Sequence, residues 1–203
     1  NPPEVFHDID ALVHEMRLLK GPEEIETMRQ AAAISAEAHI RAMRSCKPGK
    51  REYQLEAELL HEFRYRGSQS VAYNSIVAGG ENTCILHYRA GSTELLSGEL
   101  CLIDAGCELD GYASDITRTW PVNGKFSDAQ REIYELVLAA ELAGIEACRV
   151  GVPWNSSHKA TMEVISRGLI DLGVLDCTFE EAMGENLDGK TRQFFMHGTS
   201  HSL

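Results

Sequence analysis

The stretch from Leu100 to Pro121, LCLIDAGCELDGYASDITRTWP, constrains the fold more than any other part of the chain. Both of its halves contain strand-forming residues, and the halves meet at Asp110-Gly111, a pair that tolerates the positive φ angles of a tight turn. The stretch therefore predicts a β-hairpin. With a two-residue loop at Asp110-Gly111, Asp104 lies opposite Thr117 and Gly106 lies opposite Asp115.

The two aspartates of this hairpin, Asp104 and Asp115, are predicted to share one face, because side chains two residues apart on a strand project from the same side. A loop at Leu109-Asp110 would pair the two directly and keep them on one face. Adjacent carboxylates repel each other, so the pattern indicates a positive partner, such as a pair of divalent metal ions about 3.5–4 Å apart. The residues alone leave open a hairpin with two solvated acids.

Composition indicates a globular chain. Its 203 residues suffice for one large domain or two small ones, with 43% apolar and 25% charged residues. The formal net charge of −12 argues against a nucleic-acid surface. No apolar run approaches the length of a membrane span.

Cysteine usage predicts an intracellular, cytoplasmic protein. The six cysteines form no Cys-x-x-Cys pair, which argues against a structural zinc site. Their scatter is typical of reduced, mostly buried thiols. They are Cys46, Cys84, Cys101, Cys107, Cys148 and Cys177.

The first half of the chain is predicted to be a helix pair followed by strands. Residues 1–20 are interpreted as a linker from an earlier domain, within which residues 8–20 form a short helix or an extended connector. Helices are expected from Pro22 to about Ser45 and from Glu52 to Tyr65. Strands are expected over Tyr73–Ala78 and Thr83–Tyr88, joined by a hairpin loop.

The second half is predicted to repeat the helix pair. Ser127 and Gln130 form a capping box at the start of a helix that continues toward residue 149. A further helix is expected over Trp154–Leu172, and Phe194–Leu203 is expected to be strand or loop. The order helix, glycine turn, helix thus occurs twice, which suggests two similar halves around one sheet.

Three histidines are candidate site residues. His87 falls in the predicted strand Thr83–Tyr88, and His197 and His201 bracket Gly-Thr-Ser near the end of the chain. Their i, i+4 spacing is that of a helical metal pair, but the residues between them are poor helix formers. We therefore expect one of them to bind metal and the other to bind substrate or orient its neighbour.

Four motifs together point to a known family. They occur in order over nearly the whole chain: VHEMRLLKGPEEIE, YNSIVAGGENTCILHY, LIDAGCELDGYASDITRTWPVNGKF and FFMHGTSH. The chain carrying them resembles the catalytic domain of Xaa-Pro aminopeptidases (aminopeptidase P), within the methionine aminopeptidase/prolidase/creatinase superfamily. The resemblance implies the α/β pita-bread fold, with a curved, mainly antiparallel sheet, helices on its outer face and an internal pseudo-twofold repeat. Residues 21–203 would be part of that catalytic domain, truncated at its C-terminal end.

The resemblance also implies a set of site residues. Asp104 would bind one of two divalent ions, often manganese in this branch, Asp115 would bridge both, and His201 would bind the second. His87 and His197 would contact substrate and stabilise the tetrahedral intermediate. The remaining substrate-binding residue would be Tyr73, lining the pocket for the N-terminal residue.

The implied activity is removal of the N-terminal residue from peptides with proline in the second position. A prolidase restricted to dipeptides, a catalytically inactive peptide-binding protein and a metal-free creatinase-type hydrolase are alternatives; the DAG…SDITRT motif disfavours the last. The family's two glutamate ligands would follow Leu203. We therefore expect this chain alone to bind metal poorly and to have little activity. The full-length protein could form homo-oligomers.

Overall fold

The structure, a computed structural model, describes residues 8–203, which form two compact units. The first extends to Lys125 and includes Leu203, and the second runs from Phe126 to Ser202. The elements of the first unit are α1 (Asp10–Leu18), α2 (Pro22–Ser45), α3 (Glu52–Tyr65), β1 (Ser70–Val71), β2 (Ile76–Gly79), β3 (Leu100–Ala105), β4 (Cys107–Leu109), β5 (Tyr112–Ala113) and β6 (Ile116–Pro121). Those of the second are α4 (Asp128–Glu146), α5 (Ser156–Asp171) and α6 (Phe179–Met183).

The predicted hairpin is present. Its base is β3 paired with β6, and Asp104 lies opposite Thr117 as expected. Its tip is β4 paired with β5, closed by Asp110 and Gly111 with φ angles of 49° and 83°. The hairpin, its loop and its register are therefore confirmed, and the alternative loop one residue earlier is wrong. In the described residues all strand pairs are antiparallel, in two three-stranded sheets ordered β1-β4-β5 and β2-β3-β6.

Side-chain alternation along β3 separates a core face from an open face. Cys101, Ile103 and Ala105 are buried together with residues of α2 and α3, whereas Leu102 and Asp104 are half-buried. The two helices pack on the core face, α2 against β4, β5 and β6 and α3 against β2. Asp104 therefore projects from the face opposite the helices.

The helices α2 and α3 begin and end where the sequence predicts. Pro22 occupies the first turn of α2, where its missing N–H costs nothing. At the start of α3, Gln54 accepts a hydrogen bond from the backbone N–H of Arg51 at 2.9 Å, which satisfies one of the free donors of the helix end.

The predicted strand Thr83–Tyr88 is wrong. Residues Gly80–Cys84 form a short 3₁₀ helix, and a turn follows in which His87 has a φ of 53°. The β-forming composition is overridden by side-chain hydrogen bonds, of which one joins the hydroxyl of Thr83 to a carbonyl of the same turn at 2.7 Å. The preceding strand, β2, is also shorter than predicted, so Tyr73 lies in a bend before it.

The regular secondary structure of the second unit is helical, and residues 126–202 include no strand. Its core lies between α4, α5 and α6 and consists of Ala140, Ile165, Leu169, Leu175 and Ala182. The predicted capping box is confirmed, since the backbone N–H of Gln130 donates to the hydroxyl of Ser127 at 3.2 Å. Residues 194–203 form neither helix nor strand, so the loop interpretation of that segment is correct.

The repeated helix pair is also present. α2 and α3 are joined through Gly49 with a φ of 88°, and α4 and α5 through Gly151 with a φ of 86°. The two connections use glycine for the same reason, because this left-handed conformation is strained for any residue with a Cβ.

The start of the chain is helical from Asp10 to Leu18, and α1 buries none of its residues. The short-helix interpretation of residues 8–20 is therefore confirmed over most of its length. Residues 1–7 lie outside the described residues, and the assignment of residues 1–20 as a linker stays a prediction. Over residues 8–203, no helix combines the length and apolar character that a membrane span needs.

Candidate metal centre

The hairpin brings Asp104 and Asp115 to one place. Asp104 is the fifth residue of β3, and Asp115 lies between β5 and β6. The hydroxyl oxygen of Tyr73 lies 2.5 Å from Oδ1 of Asp104 and 2.8 Å from Oδ1 of Asp115. Three of the predicted site residues therefore converge on a single point, and each contributes an oxygen atom to it.

The tyrosine hydroxyl has one hydrogen and contacts two carboxylates. It can donate to only one of them at a time, so the other faces it oxygen to oxygen. Burial and the two carboxylates raise the pKa of Tyr73 far above its ordinary value, which keeps the phenol protonated. A positively charged group would therefore stabilise this cluster.

The charge on Asp104 is costly for the same reason. Burial raises its pKa above the ordinary value, and the hydrogen bond from Tyr73 only partly opposes this effect, while the charge of Asp115 adds to it. A bound divalent cation would favour the ionised form of both acids, and carboxylate oxygens are the donors that hard divalent ions take. The two carboxylates thus fit a divalent metal, which Asp104 and Asp115 would hold.

A buried hydroxyl pair holds the backbone beneath Asp115. Ser114 donates to the carbonyl of Cys107 at 2.9 Å, and its hydroxyl lies 2.8 Å from that of Ser35 on α2. The backbone N–H of Cys107 in turn donates to the hydroxyl of Ser35 at 2.9 Å. Buried polar groups that satisfy one another in this way fix a local geometry, here that of the residue before Asp115.

Gly106 allows the two strands to meet at this point. A Cβ at position 106 would lie 1.6 Å from the carbonyl oxygen of Ser114, closer than any side chain permits. Only glycine lets the backbone between β3 and β4 approach the Ser114-Asp115 segment so closely. Gly106 entered the sequence-based prediction only through the register, although a glycine between two strand runs is itself a sign of close backbone approach.

The three candidate histidines occupy exposed loops. His87 lies in the turn after the 3₁₀ helix of the first unit. His197 and His201 belong to the second unit, where each Nδ1 lies within 3.0 Å of the carbonyl oxygen of the following residue. No group of three or more His, Cys, Asp or Glu side chains within residues 8–203 is arranged to hold a metal ion. The assignment of His201 as a metal ligand stays a prediction.

A fourth histidine, which the sequence analysis missed, contacts the His197 loop. His158 on α5 lies 2.9 Å from the hydroxyl of Thr199, and its ring packs on Phe195, which packs edge-on against His197. Burial, with the charge of Arg192, lowers the pKa of His158. The i, i+4 spacing of His197 and His201 indicates the loop in the sequence. No local signal in α5 indicates that His158 contacts this loop.

Comparison with known proteins places this arrangement in a family. Residues 26–203 match the model of metallopeptidase family M24. The chain belongs to metallopeptidase family M24. The Xaa-Pro aminopeptidase of Escherichia coli, strain K12, is 48% identical over 201 residues, which are 99% of this chain and 45% of that protein.

Solved structures of M24 relatives share the fold. Proline aminopeptidase P II from Yersinia pestis is 49% identical and superposes with a TM-score of 0.90 over 97% of this chain and 44% of that one. A zinc-substituted E. coli aminopeptidase P in complex with product is 48% identical, with a TM-score of 0.89 over 94% of this chain and 43% of that one. The expected pita-bread family is therefore confirmed. The chain spans less than half the length of the relatives it matches.

Proposed function

We propose that this chain forms part of a metal-dependent Xaa-Pro aminopeptidase, which removes the first residue of peptides that have proline in second position. The convergence of Asp104 and Asp115 on one hydroxyl carries the proposal. Identity of 48% over almost the whole chain to an Xaa-Pro aminopeptidase supports the substrate class.

In this proposal Asp104, Asp115 and His201 are the residues that would hold two divalent ions. Manganese is the proposed metal, and the carboxylate donors agree with a hard ion of that kind. When bound, such a pair of ions lowers the pKa of water toward about 7 and polarises a carbonyl group. Tyr73 keeps the two carboxylates together by sharing one hydroxyl between them.

The proposed substrate contacts are Tyr73, His87 and His197. Tyr73 lines the pocket for the N-terminal residue, and the two imidazoles donate hydrogen bonds to the peptide and to the negative charge that develops on its carbonyl oxygen. An Xaa-Pro bond offers no amide hydrogen and a fixed φ. Recognition must therefore use the carbonyl and the free amino terminus, and the aspartates attract that amino group.

The test uses the full-length gene product with manganese and a peptide of the form Xaa-Pro-Xaa. Asp115→Asn is expected to lower kcat/KM at least about a hundredfold, since charge stabilisation by metal is worth several kcal/mol. Asp110→Asn, in the loop of the same hairpin, is the matched control and should leave the rate within about twofold, as surface substitutions do. Equal rates in the two variants would exclude a metal role for Asp115.

The same assay separates the alternatives. Faster hydrolysis of an Xaa-Pro dipeptide than of an Xaa-Pro-Xaa tripeptide would identify a prolidase. Tight binding of the tripeptide without release of product would identify a peptide-binding protein. The cytoplasmic location and a homo-oligomeric full-length protein remain proposals, for which fractionation and light scattering are the measurements.

A further inference from the structure

Glu52 is a fully buried carboxylate at the start of α3, a helix that contains neither aspartate of the candidate metal centre. No ion pair of residues 8–203 includes it. A buried charge without a cation is costly unless hydrogen bonds satisfy its oxygens. Glu52 meets that condition by accepting four of them, from the backbone N–H of Gly79 (2.9 Å), Asn82 Nδ2 (2.9 Å), Tyr88 Oη (2.8 Å) and the backbone N–H of Gly91 (3.0 Å).

The donors divide evenly between the two carboxylate oxygens. Oε1 accepts from Gly79 and Asn82, and Oε2 accepts from Tyr88 and Gly91. The position in the first turn of α3 adds to their effect, because the free N–H groups of a helix start favour a negative charge. The backbone N–H of Glu52 also donates to the carbonyl of Thr93 at 3.1 Å, just beyond the last donor.

All four donors belong to the segment that runs from Gly79, the last residue of β2, to Gly91, here called the 79–91 loop, and they lie on both sides of His87. Tyr88 is the next residue after His87, and Asn82 donates to the Tyr88 hydroxyl at 2.9 Å as well as to Glu52. His87 has a φ of 53°, a conformation uncommon for a residue with a side chain. Such a conformation persists where the surrounding contacts fix it, and such residues cluster at active sites.

We infer that Glu52 is a positioning residue, whose carboxylate fixes the backbone of the 79–91 loop and thereby presents His87. The inference deepens the proposed function, because it rests on His87 as a substrate contact. Glu52 itself, fully buried behind the loop, acts only through the groups that donate to it.

Glu52→Gln gives a specific test, because glutamine has the same shape but one of its two oxygens becomes a donor. The Tyr88 hydroxyl can rotate to accept a hydrogen bond, and Asn82 can turn its amide. The backbone N–H groups of Gly79 and Gly91 cannot reverse. In either orientation of the glutamine, one of these two N–H groups faces another donor and loses its partner.

The first measurement is backbone amide hydrogen exchange by NMR on the chain itself, which needs neither metal nor activity. In Glu52→Gln, exchange at Gly79 or Gly91, and at Tyr88, whose backbone N–H donates to the carbonyl of Ile85 at 3.3 Å beside His87, is expected to become about tenfold to a hundredfold faster, the cost of an unpaired buried donor. Amides of α3 such as Leu59 should exchange as in the wild type. Glu56→Gln, four residues further along α3 and outside the hydrogen bonds described for this loop, is the matched control. Unchanged exchange at both glycines would overturn the inference.

The second measurement is steady-state hydrolysis of an Xaa-Pro-Xaa peptide by the full-length protein, at a temperature where every variant is folded. Since His87 is proposed to act on the developing charge, Glu52→Gln should lower kcat about tenfold and change KM less than about twofold. Tyr88→Phe, which removes a single donor beside His87, should lower kcat less and serves if Glu52→Gln does not fold.

The two measurements fail separately. Faster exchange in the loop with unchanged kcat would overturn the positioning role and leave the proposed function in place. A wild-type protein without peptidase activity would overturn the proposed function, and the exchange result alone would then decide whether Glu52 fixes the loop.

Discussion

Single hydroxyl groups determine much of the local geometry around the two aspartates. Tyr73 joins the carboxylates, and Ser35 and Ser114 join α2 to the hairpin beneath them. The sequence indicated that the aspartates share a face, because parity along a strand is a local property. It gave no sign that Tyr73 reaches both, because that contact spans 31 and 42 residues of sequence.

His39 is a buried residue with a testable pH dependence. Its Nδ1 donates to the carbonyl of Ser35 at 2.9 Å, and burial, with the charge of Arg118, lowers its pKa below the ordinary 6.5. Between pH 6.5 and the lowered pKa, His39 binds a proton in the unfolded chain and stays neutral in the folded chain. Unfolding free energy should therefore fall as the pH drops from 6.5 toward the lowered pKa.

Urea unfolding at a series of pH values checks this expectation. His39→Gln should flatten the profile between pH 7.5 and the acid limb, because no proton is then taken up at that position on unfolding. His14→Gln, on the exposed face of α1, should run parallel to the wild type. Parallel profiles for both variants would contradict the assignment.

Among the elements, α2 and α3 agree with their predicted ends, and α4 and α5 end within about three residues of theirs. The helix α6 and the conformation of the 79–91 loop were not predicted. Pro22, the Ser127 capping box and the turn glycines are local signals, read within a few residues. The segment 83–88 has the composition of a strand, but its conformation depends on Glu52, which precedes it by about thirty residues. Hydrogen bonds to a distant carboxylate leave no periodic pattern in the loop that makes them.

The hairpin provides a prediction at this scale. Gly106→Ala should lower the free energy of unfolding by about 3 kcal/mol or more, because the added Cβ collides with the Ser114 carbonyl and the backbone must shift. Gly111→Ala in the same hairpin has open space around it and meets only the strain of a φ of 83°, about 1–2 kcal/mol. Equal losses in urea unfolding would show that the close approach at Gly106 does not matter.

At the scale of the molecule, the chain divides into two units with separate cores and spans less than half of its relatives. The family and the pita-bread fold could be predicted because four motifs occur in order. The assignment of the metal ligands stays a prediction, because within residues 8–203 no three His, Cys, Asp or Glu side chains are arranged to hold a metal ion. The part of the candidate site that the structure brings together is the aspartate pair with Tyr73.

Metal linkage is the prediction that belongs to the whole molecule. If Asp104 and Asp115 bind Mn²⁺ in the folded state only, a concentration roughly ten times the Kd stabilises that state by about 1.4 kcal/mol. The Tm of the first unit should then rise by about 3–6 °C. Asp115→Asn should abolish the rise and Asp110→Asn should keep it. An equal rise in all three proteins would mean that the metal binds elsewhere.

The distribution of cysteines has a practical consequence. Cys101 is buried on β3, the strand that carries Asp104, and Cys107 on β4 is buried in the same core. Cys84 and Cys148 are exposed. Alkylating reagents should therefore modify the exposed pair at once and reach the buried pair only when the hairpin opens. Mass spectrometry of timed labelling would then report how long the aspartate-bearing strand stays folded, without any substitution in the chain.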